Sequence, residues 1–502
     1  MDINELSTRV TRLSQLKIHF SDFFNVSDET LQEYGAFNVS LVNDLPLFID
    51  PFLLFTSSKP AYRKLHDDII EYLRFLRDKS ATGRISDGLL KAWYIFSEVK
   101  QNWLGYSLVG NRGSGLGPKF AKTLYSNLGT VFTDFGEERV ATGSHVEKLC
   151  LIESGVGRDN ISDFTVNLIK GFLLEYTQAF AKKHIKPEFR KMVSINRVRF
   201  NYSVEAWERG RYDLPFYNGD YVILTPKDIL TKENMWINRQ ELIDDFMVIA
   251  YAISNIELRE QLSNYIASQL QRVKRPSNKD RRAAIESAIR HYPEILEYYI
   301  REKENTGDKA QAISDERVAE TQMLFVEQLA QFVSLLISNT GFYTISGDTF
   351  DEARSRVEFL KDIIENKDGY RLFYIKGKPI AREQDLHILF RLTWYSTPSD
   401  VNREVNNGRG PVDFKISRGS GDKSLVEFKL ASNSQLKRNL QNQVKIYESA
   451  NDTDRSLKVI IYFSRQELFK VQKILNDLKM QDDPNIVLID ACRNNKLSAS
   501  KA

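Results

Sequence analysis

The stretch PVDFKISRGSGDKSLVEFKL, residues 411–430, restricts the fold more than any other part of the chain. Two half-apolar runs flank RGSGD, where Gly419 and Gly421 suit a tight reversal. The spacing predicts a β-hairpin. In a strand, residues two apart share a face, so Glu427 and Lys429 project together while Val426 and Phe428 point into the core. The hairpin would set Asp413, on the first strand, beside that pair. Two carboxylates at short range repel and raise each other's pKa unless a cation lies between them. A surface hairpin with a Glu–Lys pair on its wet face is the plain alternative, and it leaves the half-apolar strands unexplained.

The flanking segments extend the pattern. RLFYI reads as a strand and KGKP as a turn, then a helix is expected over 382–394. After the hairpin come a helix at about 433–450, a strand KVIIYF (458–463), a helix at 466–479 and a strand NIVLID (485–490). The order α-β-β-α-β-α-β describes a mixed sheet with helices packed on it, in the α/β class.

Hard carboxylate oxygens suit Mg²⁺, or Mn²⁺ in its place. With a lysine alongside, the set fits metal-assisted attack of water on a phosphodiester. The pattern G-P-V-D-x13-E-F-K followed by a helix resembles the PD-(D/E)xK nuclease superfamily. The family's proline is displaced here, since Pro411 does not directly precede Asp413. In the next helix, LKRNLQNQVKIYESA, Gln443 and Tyr447 lie four apart on one face, similar to the Q-x-x-x-Y element of the RecB-type branch.

The resemblance covers about residues 371–490. It implies a restriction-endonuclease-like αβββαβ core, a Mg²⁺-dependent endonuclease acting on DNA, and a setting in restriction, repair or antiviral defence. It implies Asp413, Glu427 and the Phe428 main-chain carbonyl as metal ligands, with Glu383 as a further one; Asp385 and His387 are neighbours that could serve instead of Glu383. Lys429 would be the catalytic lysine and Gln443 its orienting partner. Tyr447 would lie near the nucleic-acid backbone. Arg418, Lys437 and Arg438 are read as phosphate contacts. The alternatives are an RNA-directed nuclease, or a nucleic-acid-binding or oligomeric scaffold whose nuclease fold is inactive.

Charge distribution agrees with an anionic partner. From Arg371 onward there are 23 Lys and Arg against 15 Asp and Glu, whereas the rest of the chain is net negative. The two cysteines, Cys150 and Cys492, match no metal spacing and form no disulfide framework. The first residues carry no apolar signal segment, and LPLFIDPFLLF (45–55) is too short to span a bilayer. A cytoplasmic protein without a membrane partner is expected.

The rest of the chain is read as an N-terminal α+β domain (1–235) and a helical domain (236–345), ahead of the nuclease domain (346–502). The large, mainly α-helical N-terminal region is a place for a partner protein, a homo-oligomer contact or target recognition. Pro46 and Pro51 argue for extended segments over 37–55. The glycine-rich GNRGSGLGPK (110–119) lacks the Gly-Lys-Ser/Thr of a phosphate-binding loop and reads as a connection. His145, Glu147, Glu153, Asp159 and Asp163 offer metal-ligand chemistry at no familiar spacing, and Asp163 reads instead as a helix cap. Trp207 and Trp236 stand in aromatic segments that suit either base stacking or core packing.

Overall fold

The computed structural model describes residues 17–83, 85–105, 116–130, 132, 135–152, 157–271, 273–339, 347–394, 400–402, 414–418, 422–441 and 455–496. It mixes helices with small sheets.

The N-terminal part is organised around the helix Pro60–Ala81, whose buried residues Tyr62, Ile69, Leu73 and Leu76 recur at helical spacing. Helix Arg158–Leu168 packs beside it, and Phe172 of helix Lys170–His184 meets Tyr62 edge-on, ring centroids 5.8 Å apart. A long antiparallel hairpin, Arg190–Asn201 with Ala206–Tyr217, lies against the second of these. Trp207 stands on that hairpin, in an aromatic cluster with Tyr72, Phe96 and Phe200, so it packs in the core rather than in an open loop. Trp236 also packs: its indole N–H donates to the Lys303 carbonyl at 3.0 Å, and the Lys303 ammonium lies 4.4 Å from its ring.

Two expectations fail here. Pro51 opens a helix, Pro51–Thr56, because a proline at the first helical position gives up only an N–H that has no intrahelical acceptor. Asp50 caps it, accepting from Phe52 N at 3.1 Å. Asp163 is not a cap: it lies inside helix Arg158–Leu168, whose start is closed by the Gly157 N–H donating to Asn160 Oδ1 at 3.0 Å. Residues 110–115 and Glu153 lie outside the described residues.

From 239 to 339 the described chain is helical. The C-terminal elements then follow: α1 (Thr349–Asn366), α2 (Glu383–Trp394), β1 (Asp400–Asn402), β2 (Phe414–Arg418), β3 (Asp422–Leu430), β4 (Ser456–Tyr462), α3 (Arg465–Asp477) and β5 (Ile486–Asp490). Residues 436–441, between β3 and β4, are also helical. The sheet order is β5-β4-β3-β2-β1; β1, β2 and β3 pair antiparallel, and β3, β4 and β5 pair parallel.

The strand β1 has no counterpart in the expected order. Conversely, RLFYI does not enter this sheet among the described residues: Gly369–Phe373 forms a turn of 3-10 helix, and Tyr374–Ile375 pairs with Lys378–Pro379.

The two faces of the sheet are covered separately. Phe414, Ile416, Val426, Phe428, Val459 and Ile461 join the large core, which also holds Val357 and Leu360 of α1 and Leu386, Leu389 and Phe390 of α2. Ile460, on the opposite face, joins a smaller core with Val471, Ile474 and Leu475 of α3. α1 is fixed to the start of β3: Asp422 accepts from Thr349 N at 3.1 Å and from Thr349 Oγ1 at 2.7 Å.

Candidate active site

β3 is the middle strand of the five, and its two parities separate as the sequence pattern requires. Val426 and Phe428 are fully buried on the large core, where the Phe390 ring packs at a tilt against Phe428, centroids 3.8 Å apart. Glu427 and Lys429 share the other parity, and they too are buried, at 8% and 7% exposure. Lys429 Nζ lies 3.6 Å from Glu427 Oε1. It lies 4.0 Å from Glu383 Oε2.

Glu383 reaches this place from the first turn of α2, around the carboxyl end of β3. Its Oε1 accepts from Leu430 N at 3.1 Å and from Asn433 Nδ2 at 2.7 Å, while its Oε2 faces the lysine. The turn after β3 is held from a further side, since Lys470 of α3 donates to the carbonyls of Ala431 and Asn433, both at 2.8 Å. Thus a helix, a strand end and a polar turn converge on one buried ammonium.

The neighbours of Glu383 have other work. Asp385 pairs with Lys232 of the N-terminal part at 3.0 Å, with both side chains 6% exposed. His387 Nε2 bonds the Phe428 carbonyl at 3.1 Å, fixing the strand from the core side. The Phe428 carbonyl, expected as a metal ligand, is engaged by this histidine. Lys437 is half exposed and pairs with Asp477 at 2.6 Å, and Arg438 is exposed. Arg418 ends β2, and only its backbone is described. Asp413, Gln443 and Tyr447 lie outside the described residues.

Three residues join the site without a signal in the sequence. Lys458 is the register partner of Glu427 on β4, is 5% exposed, and lies 3.8 Å from Asp483. Asn433 and Lys470 hold the turn. A polar ASNS directly after a strand was the only available pointer to the turn.

Among the described residues no group of three or more His, Cys, Asp or Glu is placed to hold a metal ion. That holds for the second candidate cluster as well. His145 bonds Glu304 at 3.0 Å, and Glu147 is wholly buried near Asp50, where burial and the Asp50 charge raise its pKa well above the usual carboxyl range.

Residues 25–238 match the family described as "Domain of unknown function (DUF8370)", and residues 349–465 match "Domain of unknown function (DUF8371)". The second match spans α1 through β4, and so contains Glu383, Glu427 and Lys429. None of the curated proteins and none of the solved structures matches the chain. No helix among the described residues is long and apolar enough to cross a membrane.

Proposed function

We propose that this chain is a divalent-metal-dependent nuclease that hydrolyses DNA phosphodiester bonds, with a restriction-endonuclease-like core in its C-terminal part. The observation that carries the reading is the buried Glu427–Lys429 pair on the central strand of the sheet, joined by the partly exposed Glu383 of α2. Removing an ion from water costs several kcal/mol after relaxation, and a strand with only a structural role avoids that cost with valine or isoleucine. The order α2-β1-β2-β3, helix 436–441, β4, with β3 and β4 parallel, supports the same reading because it follows the αβββαβ order of the resembled superfamily.

The donor chemistry fits Mg²⁺ or Mn²⁺, since Glu427 and Glu383 present hard carboxylate oxygens toward one another's partner. These two, with Asp413 as the expected third, would hold the ion. When bound, it would neutralise phosphate charge and acidify a water.

The chain's own residues do the rest. The Lys429 ammonium, fixed between two carboxylates, is preorganised to orient the attacking water and to stabilise negative charge growing on the phosphate oxygens. Glu383 and Asn433 hold the end of β3, the strand that carries Lys429. His387 fixes the same strand through the Phe428 carbonyl.

The test is incubation of the purified chain with plasmid, linear duplex, single-stranded DNA and RNA, in Mg²⁺, Mn²⁺ or chelator. Metal-dependent cutting of DNA is expected. Lys429→Ala and Asp413→Ala should each remove it in chains that still melt cooperatively, with a lower midpoint for Lys429→Ala because it takes the ammonium away from buried Glu427. Folded variants that both cut like wild type would sink the assignment.

A further inference from the structure

We infer that the chain holds a second phosphate-binding subsite beside this cluster, built jointly by the N-terminal part and α2, with Arg158 and Arg382 as its contacts to a nucleic-acid backbone. The inference rests on the nuclease reading for its ligand, but its observations are separate. A cavity of about 500 Å³ opens at the carboxyl end of β3, within the roughly 300–1,000 Å³ typical of ligand sites. Its walls include Arg158, Arg382, Glu383, Gln384, Ser432 and Asn433. Two guanidiniums, two amides and a hydroxyl make a wall that donates hydrogen bonds, and arginine's planar fork matches phosphate oxygens.

Both arginines are preorganised. Arg158 stacks over the Phe48 ring at 4.9 Å and donates from Nη1 to the Glu233 carbonyl at 2.8 Å. Arg382 pairs with the Glu233 carboxylate. One residue of the N-terminal part thus backs both guanidiniums. The acid in the wall, Glu383, has one oxygen occupied by Leu430 N and Asn433. It also joins the cavity to Lys429, so a phosphate seated here lies along the strand from the reacting one rather than on it. A backbone phosphate neighbouring the scissile bond is the ligand that this adjacency selects.

The experiment uses the full chain carrying Lys429→Ala, so that cutting does not consume the probe. Binding of a fluorescent duplex oligonucleotide is measured by anisotropy from low to high NaCl. Arg158→Gln and Arg382→Gln should each lower the slope of log affinity against log salt by about 0.9, the value for one lost contact to duplex phosphate. The charge-keeping Arg158→Lys and Arg382→Lys should retain the slope, which separates loss of charge from loss of folding. Cutting by chains with native Lys429 is followed in parallel.

If wild type cuts DNA and both glutamine variants keep the full slope, the subsite is wrong and the nuclease reading stands. If wild type cuts nothing while Arg158→Gln still lowers the slope, the subsite stands and the hydrolytic reading falls. A chain that neither binds nor cuts overturns both. If inorganic phosphate competes with the oligonucleotide as well as an unlabelled duplex does, at equal phosphate concentration, the nucleic-acid assignment is overturned.

Discussion

Glu383 carries two functions on two oxygens, and they can be separated. Oε1 braces Leu430 and Asn433, and Oε2 faces Lys429. Glu383→Gln keeps an acceptor for the brace and removes the charge beside the lysine. It is expected to reduce cutting at least tenfold with little change in thermal midpoint. Glu383→Ala loses both, and leaving the Leu430 and Asn433 donors without an acceptor adds about 1–3 kcal/mol of destabilisation. Melting curves and cleavage rates on the two variants decide; equal cutting by Glu383→Gln and wild type would leave Glu383 as a brace alone. At this scale the sequence was legible where period two applies. Glu427 and Lys429 declare themselves because their neighbours Val426 and Phe428 are apolar. Lys458 and Asn433 did not, since strand register and a turn's side-chain bonds leave no period to read. Asp385 stands two residues from Glu383, about 200° round the helix, whereas His387, four residues on, shares the face of Glu383 one turn further along. Asp385 meets Lys232, and His387 meets the Phe428 carbonyl.

Among the elements, α2, β2 to β4, α3 and β5 are legible in the sequence pattern, whereas β1 is not, and α1 is closed by a cap. Asp348 accepts from Phe350 N at 3.0 Å and Asp351 N at 2.9 Å, and it pairs with Arg455 at 2.8 Å. Asp348→Ala should cost about 1 kcal/mol, as lost caps do, read as a lower denaturant midpoint at unchanged slope. The hairpin 190–217 was not legible as an element. Its connecting residues, Tyr202 to Glu205, include no Gly, Asn or Asp, and Glu205 takes a φ of +51° that such residues usually supply. The Arg197 φ of +57° within the ladder, where the register shifts between Ile195 and Arg199, also breaks the alternation. The small strand pair at 374–379 failed for another reason: RLFYI has strand composition, but tertiary packing turned its first half into a helical turn.

For the whole molecule, the joint between its parts is ionic as well as apolar. Lys232 with Asp385 is buried, and Arg382 pairs with Glu233 nearby. Lys232→Met should destabilise by about 3–5 kcal/mol, because Asp385 is left as an uncompensated buried charge. Adding Asp385→Leu should recover most of that loss; failure to recover would show that the ammonium has further partners. Stability against pH reports other buried acids. The Asp163 carboxyl is pushed up to about 8, by burial first and then by Asp159 and Glu98, from 3.8 in the unfolded chain. It therefore favours the fold fully below 3.8, and that contribution is lost as pH rises to about 8. Glu304 runs the other way. Burial opposes its ionisation, yet His145, Thr142 and Gly143 hold it down to about 2, so its contribution is present above 4.5 and lost as pH falls toward 2. Asp163→Asn should raise the melting temperature more at pH 8 than at pH 5, and Glu304→Gln should lower it more at pH 7 than at pH 3.

The Lys232–Asp385 and Glu233–Arg382 pairs also bear on inheritance. Each pair has one member in the segment 25–238 and the other in the segment 349–465, the two stretches that match separate families. A gene that received the second segment alone would encode a buried aspartate with no ammonium and an arginine with no carboxylate. Recombination that moves either segment is therefore penalised unless the receiving chain already supplies the complementary charges, so these two segments are expected to descend together.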